Sequence, residues 1–297
     1  MVDAATAGVP VDWLGDGATD GEAMRAWGPE RTVRAAVLGR LLVESSWPVH
    51  AKGVQLRGAR ILGVLDLQSA RLRCPLILEG CFLDAQGPVV LDYATGTRIT
   101  LLRCELPGLT ADLLTLEHEL DLKGSTITGP VRLLGADITG QLNCGGAQLT
   151  GTDADGALVA DTMKAGDVFL DGGFTAAGTV RLSGAHITGE LNCSGARLTG
   201  TGTGTDAAGD ALFAEGMKVG GHVFLDEKFT AAGTVSLSGA DITGQLICSG
   251  ARLTGTGTGT DAAGDALVAG GMKVGRDVFL DEKFTAAGTV RLAGADI

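Results

Sequence analysis

The chain repeats itself at two nested periods, and the shorter one leaves few folds open. From Val180 it reads VRLSGAHITGELNCSGARLTGTGTGTDAAGD, and 55 residues later, from Val235, VSLSGADITGQLICSGARLTGTGTGTDAAGD. Each copy leads through a Met-Lys pair into VFLDEKFTAAGTV, a third copy opens at Val290 with VRLAGADI, and an earlier relative of 49 residues starts at Val131. Inside this unit the apolar residues follow V-x-L-x-x-A-x-I. Val180, Leu182, Ala185 and Ile187 fit it, and eleven residues on Leu191, Cys193, Ala196 and Leu198 fit it again. The template reaches back through Val54/Leu56/Ala59/Ile61, Leu65/Leu67/Ala70/Leu72 and Leu76/Leu78/Cys81/Leu83, loses regularity near residues 86–96, and resumes at Ile99. About twenty such half-turns fit between Val54 and Ile297.

Apolar residues at the first and third positions suit a short strand with one buried face, whereas a helix would need them three and four apart. The GA and TG dipeptides between the apolar pairs supply small residues and positive φ where the chain turns. Each half-turn therefore reads strand, corner, strand, corner. Two of them close a coil of about 22 residues, and about ten coils at ~4.8 Å give a rod roughly 48 Å long. The stretch TGTGTGTDAA, at 199–208 and again at 254–263, lengthens the spacing at a fixed point and is expected to be a surface loop.

Composition agrees. Hydrophobic residues make up 45% of the 297, but only 4% are aromatic and 48 are glycine, which suits a thin core of small and β-branched side chains. A formal charge of −12 disfavours direct binding to nucleic acid or anionic membrane. The N-terminal sequence has no basic segment followed by an apolar stretch, and no run of eighteen uncharged apolar residues occurs, so neither a signal peptide nor a membrane span is expected. Six dilute cysteines without a CxxC pair argue for a reducing cytoplasm and against zinc. Cys144, Cys193 and Cys248 should hold one inward position in alternate coils, and Cys81 and Cys104 should stack on neighbouring ones.

Ahead of the repeat, GPERTVRAAVLGRLLV (Gly28–Val43) reads as a helix with Pro29 in its first turn and Val33, Val37, Leu38, Leu41 and Leu42 on one face. The expected organisation is a partly irregular segment over 1–27, a capping helix over 28–44 and a β-helix over 54–297. The chain ends inside its motif, where earlier copies continue with TGQL or TGEL. Either the natural protein is longer, the favoured reading, or copies associate through their C-terminal ends.

The motif GA(R/D/H)(I/L)TG resembles the pentapeptide-repeat proteins, whose A-(D/N)-L-x-x unit turns a small residue and a leucine inward. Ala185 and Ile187, Ala196 and Leu198, and Ala240 and Ile242 match those positions, although the spacing is eleven rather than five or ten. More closely, residues 28–297 are similar to a bacterial group of diverged pentapeptide-like proteins, some labelled oxidoreductases. The resemblance implies an all-β solenoid, a right-handed quadrilateral parallel β-helix with an N-terminal helical cap. The oxidoreductase label finds no support in the residues. Gly200/Gly202/Gly204 and Gly255/Gly257/Gly259 lack the spacing and βαβ setting of a dinucleotide loop, and the only tyrosine, Tyr93, is followed by Thr97 where YxxxK wants lysine.

No residue set points to catalysis, a cofactor or a metal. His50, His118, His186 and His222 form no HExxH, and positions equivalent to His186 hold Asp137, Asp241 and Asp296, as at a tolerant outward site. The GTGTD segments at Gly202–Asp206 and Gly257–Asp261 resemble calcium-binding β-roll loops but recur only every 55 residues, so loops are expected. Phe169, Phe224 and Phe279 should face outward as an aromatic stripe, either exposed for binding or covered by a loop or bulge. Asp171, Asp226 and Asp281 recur beside Lys228 and Lys283, with Arg197 and Arg252 in intervening coils, and are expected to form a solvated salt-bridge ladder. These six Phe and Asp residues are the candidate interaction face. The expected function is a non-enzymatic scaffold binding a protein along one side. The alternatives are an acidic DNA mimic that inhibits a type II topoisomerase, or a non-catalytic fragment of a longer protein labelled oxidoreductase.

Overall fold

The computed structural model describes residues 2–15, 21–151, 155–200, 209–255, 264–281 and 283–297. The chain winds into an all-parallel β-solenoid of about nine turns with four flat walls. The walls are sheets of eleven, eleven, nine and eight strands, and from Leu76 on successive strands of the chain visit them in rotation. One turn shows the plan: Leu191–Asn192 lies on wall 1, Arg197–Thr199 on wall 2, Asp210–Phe213 on wall 3 and Lys218–Val219 on wall 4. Most strands are two residues long, so each contributes one inward and one outward side chain.

The eleven-residue template holds. Val180, Leu182, Ala185, Ile187, Leu191, Cys193 and Ala196 are fully buried, and Leu198 nearly so. The turn count falls slightly below the ten coils expected. Half-turn Leu65–Leu72 pairs with its neighbour at the isolated bridges Asp66↔Val90 and Arg71↔Thr95 rather than in strands, and the last half-turn ends on the bridge Lys273↔Asp296.

Neighbouring coils alternate in side-chain size, which gives the long repeat its length of two coils. At the corner between walls 1 and 2 the inward residues run Ala147, Phe174, Ala196, Phe229, Ala251. The Arg197 N–H donates to the Phe174 carbonyl and the Thr230 N–H to the Ala196 carbonyl, both at 2.9 Å, so Ala196 lies between the two phenylalanine positions. At the corner between walls 3 and 4 the column runs Ala136, Met163, Ala185, Met217, Ala240, Met272. Each large side chain takes space that the alanines above and below leave open, which fills the interior without strain.

The glycines of the two dipeptides serve different ends. Gly195, in GA, has φ +70° and turns the corner in the left-handed region. Gly244, in TG, has no positive φ, but a Cβ there would come within 2.4 Å of the Gly221 carbonyl oxygen. Glycine is needed at TG for close approach of successive coils, not for backbone conformation.

The N-terminal end departs from expectation. The helix covers only Ala35–Val43; Pro29–Arg31 is a 3-10 turn, and Thr32–Arg34 is a strand paired with Arg60–Leu62 on wall 2. Extended Thr32 and Val33 fit their β-branched side chains to the sheet, and Val33 joins the core from a strand. Val11–Asp12 pairs with Leu56–Arg57 on wall 1, so the solenoid begins before residue 54. Leu38, Leu41 and Leu42 are buried as a cap should be, whereas Val37 faces solvent. At the other end Val278, Leu280, Phe284, Ala286 and Leu292 are only partly buried, while Val223, Leu225, Phe229, Ala231 and Leu237 one unit earlier are enclosed.

Candidate functional site

Wall 1 carries the aromatic stripe. Its outward residues, paired coil to coil, run Asp121, Asn143, Phe169, Asn192, Phe224, Ile247, Phe279. Phe169 and Phe224 are half-buried and Phe279 is exposed, and these strand pairs stay in register without a bulge. His222 adds a tilted ring contact to Phe224 at 5.7 Å, while its Nδ1 accepts the Gln245 N–H at 3.2 Å. His222 is therefore half-buried, whereas His50, His118 and His186 are exposed, His50 with its Nδ1 accepting the Lys52 N–H at 3.1 Å.

Asp171, Asp226 and Asp281 sit two residues beyond the phenylalanines and build the corner. The Asp171 carbonyl accepts the Gly146 and Phe174 N–H groups, and the Asp226 carbonyl those of Gly195 and Phe229. Ser194 Oγ donates to Asp226 Oδ1 at 2.6 Å, and Ser249 Oγ donates to the Asp281 carboxylate. The expected salt-bridge ladder does not form there: among the described residues no ion pair joins these aspartates to Lys228, Lys283, Arg197 or Arg252. The two-coil period sets a serine between successive aspartates, and Lys228 and Lys283 lie where φ is +75° and +77°.

A charge ladder does exist on wall 4. Its outward residues pair in the order Asp137, Lys164, His186, Lys218, Asp241, Lys273, with Asp296 bridging the last. Lys164 Nζ lies 3.9 Å from Asp137 Oδ2 with both side chains exposed, an ion pair of little energetic weight. Stacking the half-turns in pairs would have exposed this column in the sequence. Wall 2 is polar, with Thr175, Arg197, Thr230 and Arg252 in one row. The inserts all leave the corner between walls 2 and 3, but both GTGTD segments lie outside the described residues. On wall 3 Arg181 is half-buried, 2.8 Å from Asp161 and 5.1 Å over the Phe213 ring. Burial pushes the neighbouring Asp210 carboxyl up to about 6, with Glu215 adding to the rise while Thr234 and Arg181 oppose it.

All six cysteines are buried free thiols. Cys144, Cys193 and Cys248 alternate with Leu170 and Leu225 in one inward column, and burial pushes Cys144 and Cys248 up to about 12 and Cys193 higher still. Cys81 and Cys104 stack on adjacent coils, the Cys81 N–H donating to Cys104 Sγ at 3.5 Å. Below them Ser125 Oγ accepts the Cys104 N–H at 2.8 Å and donates to the Leu101 carbonyl at 2.6 Å. Among the described residues no group of three or more His, Cys, Asp or Glu side chains could hold a metal ion, and no helix is long and apolar enough to cross a membrane.

Comparison of the chain with protein-family models, curated proteins and solved structures finds no match.

Proposed function

We propose that this chain is a non-enzymatic scaffold of the pentapeptide-repeat type, working in the cytoplasm and binding a protein partner along wall 1. The observation that carries this reading is the outward run Phe224, Ile247, Phe279, with Phe169 two coils before it. Walls 2 and 4 carry polar and charged rows, and an aromatic row on a rigid flat sheet is suited to anchor a partner. Capture from the native host with wild-type protein and with Phe224→Ser/Phe279→Ser tests it. The reading requires a stoichiometric partner held by the first and released by the second. Reproducible turnover of a small molecule by the purified chain would overturn the non-enzymatic part.

A second reading, the DNA mimic, draws on charge placement. Residues 1–103 hold eleven Lys and Arg against eleven Asp and Glu, whereas residues 104–297 hold twelve against twenty-four, so the whole excess lies along the later coils. The Lys164, Lys218 and Lys273 rungs of wall 4 interrupt it. Supercoiling by a type II topoisomerase at micromolar protein separates the two: inhibition selects the mimic, and full activity removes it.

A further inference from the structure

The corner from wall 4 to wall 1 follows one rule along most of the rod. From Gly140 to Gly244 it is a glycine followed by Gln141, Asp167, Glu190, His222 or Gln245, and at the last corner Arg276-Asp277 takes that place. The glycines are enforced by close coil approach, as at Gly140, where a Cβ would come within 2.5 Å of the His118 carbonyl oxygen. The first three corners lack the glycine as well: Arg73 occupies one, Thr97-Arg98 the next and Glu117-His118-Glu119 the third. Beside them opens a cleft of about 590 Å³ lined in part by Lys52, Arg73, Thr97, Arg98 and His118, with Ile77 on an apolar side. A second cleft shares Arg73 and Thr97 and adds Arg71, with Glu117 on its far side.

The cations there are incompletely matched. Arg73 is held in place by its Nη1 donating to the Glu44 carbonyl at 2.8 Å, at the end of the capping helix, which leaves the rest of its fork open. Among the described residues Lys52 enters no ion pair. Arg98 Nε lies 2.9 Å from Glu119 Oε1 but without hydrogen-bond geometry, and both it and the Thr97 hydroxyl are buried polar atoms with no hydrogen-bond partner. Glu119 thus offsets part of the Arg98 charge, and the outer guanidinium nitrogens of Arg98 are what the cleft can use.

We infer that this cleft binds a small molecule through an oxyanion, a phosphate or a carboxylate group. Arg73 and Arg98 supply forked donors of the geometry such groups accept, and Lys52 a flexible charge. Ile77 faces the uncharged part of the ligand, and the volume is that of an ordinary small-molecule site. Ile77 stands on the outward row of wall 1, four coils before Phe169, so the site is distinct from the aromatic residues of the protein-binding reading.

Isothermal titration of the full chain with inorganic phosphate and with citrate, at constant ionic strength set by sodium chloride, tests the inference and distinguishes the two sources. Saturable binding at one site per chain is expected with at least one probe, weakened at least tenfold by Arg98→Gln and unchanged by Arg197→Gln on wall 2. Lys52→Gln, at an exposed position, should weaken it several-fold and serves if Arg98→Gln does not fold. Heats of dilution alone from both probes would overturn the inference. So would binding that Arg197→Gln weakens as much as the cleft variants do.

Discussion

Replacing Phe229 by alanine should be among the most damaging single changes in the molecule, and the stacking of coils says how it can be repaired. Phe229 is fully enclosed, and its neighbours in the column, Ala196 and Ala251, are too small to fill its place. The lost transfer free energy is about 1.5–3 kcal/mol. A residual cavity on the order of 100 Å³ at ~24 cal/mol per Å³ adds about 2.4 kcal/mol, for a total near the upper end of the ~3–5 kcal/mol typical of Phe→Ala. Ala196→Leu alone should cost about 1–3 kcal/mol by crowding the rings of Phe174 and Phe229. Together the two changes complement each other, because the leucine grows into the vacated space, so the double variant should be less destabilised than the sum by about 1–3 kcal/mol. Urea denaturation followed by circular dichroism, with unchanged m, gives all three values. Outward Arg197→Ala provides the control and should change stability by no more than about 0.5 kcal/mol. Additivity within about 0.5 kcal/mol, or a control as costly as Ala196→Leu, would refute the alternation of large and small corners.

Three further outcomes follow from the structure. All six thiols should resist a soluble disulfide reagent in the native protein and all six should react in denaturant, since burial keeps Cys144, Cys193 and Cys248 protonated; mass spectrometry showing a Cys193–Cys248 link would contradict the register. Asp210, whose carboxyl is raised from 3.8 to about 6, binds its proton more tightly folded than unfolded, so its contribution grows as pH falls from about 6 towards 4 and is lost as pH rises through 6. Asp210→Asn should flatten that part of the pH profile of the denaturation midpoint, and a profile parallel to wild type would show that Asp210 does not titrate there. In a chain ending at Ile297, with Val290 and Ile297 36% and 61% exposed, light scattering should show concentration-dependent association that appended repeats with a polar cap suppress; a monomer at high concentration would show that the last coil shields itself.

The inward positions were legible because burial on one side of a two-residue strand imposes a strict pattern. Val180, Leu182, Ala185 and Ile187 stand where the eleven-residue template puts them. The first coil was not, because Val11–Asp12 and Thr32–Arg34 are too short for any periodicity, and helical signals at Pro29 and Glu30 outweighed them. Charge pairing was misplaced for a different reason. Asp226 and Lys228 are close in sequence but share a corner, whereas Lys218 and Asp241 are 23 residues apart and adjacent on wall 4. Neighbours across coils follow from the register, which spacing within one coil does not reveal. The cleft at Arg73 and Arg98 escaped notice because it lies in diverged turns and shows itself only as a departure from the later corners.

Site-specific photo-crosslinking in the native host tests the central proposal most directly. A photoreactive amino acid placed at Phe224 on wall 1, at Arg197 on wall 2 and at Lys218 on wall 4 samples three outward rows of two adjacent coils. One discrete protein adduct from the Phe224 position, with little from the other two, is the expected result. Equal adducts from all three walls, or a discrete adduct from wall 2 or wall 4 alone, would contradict binding along wall 1.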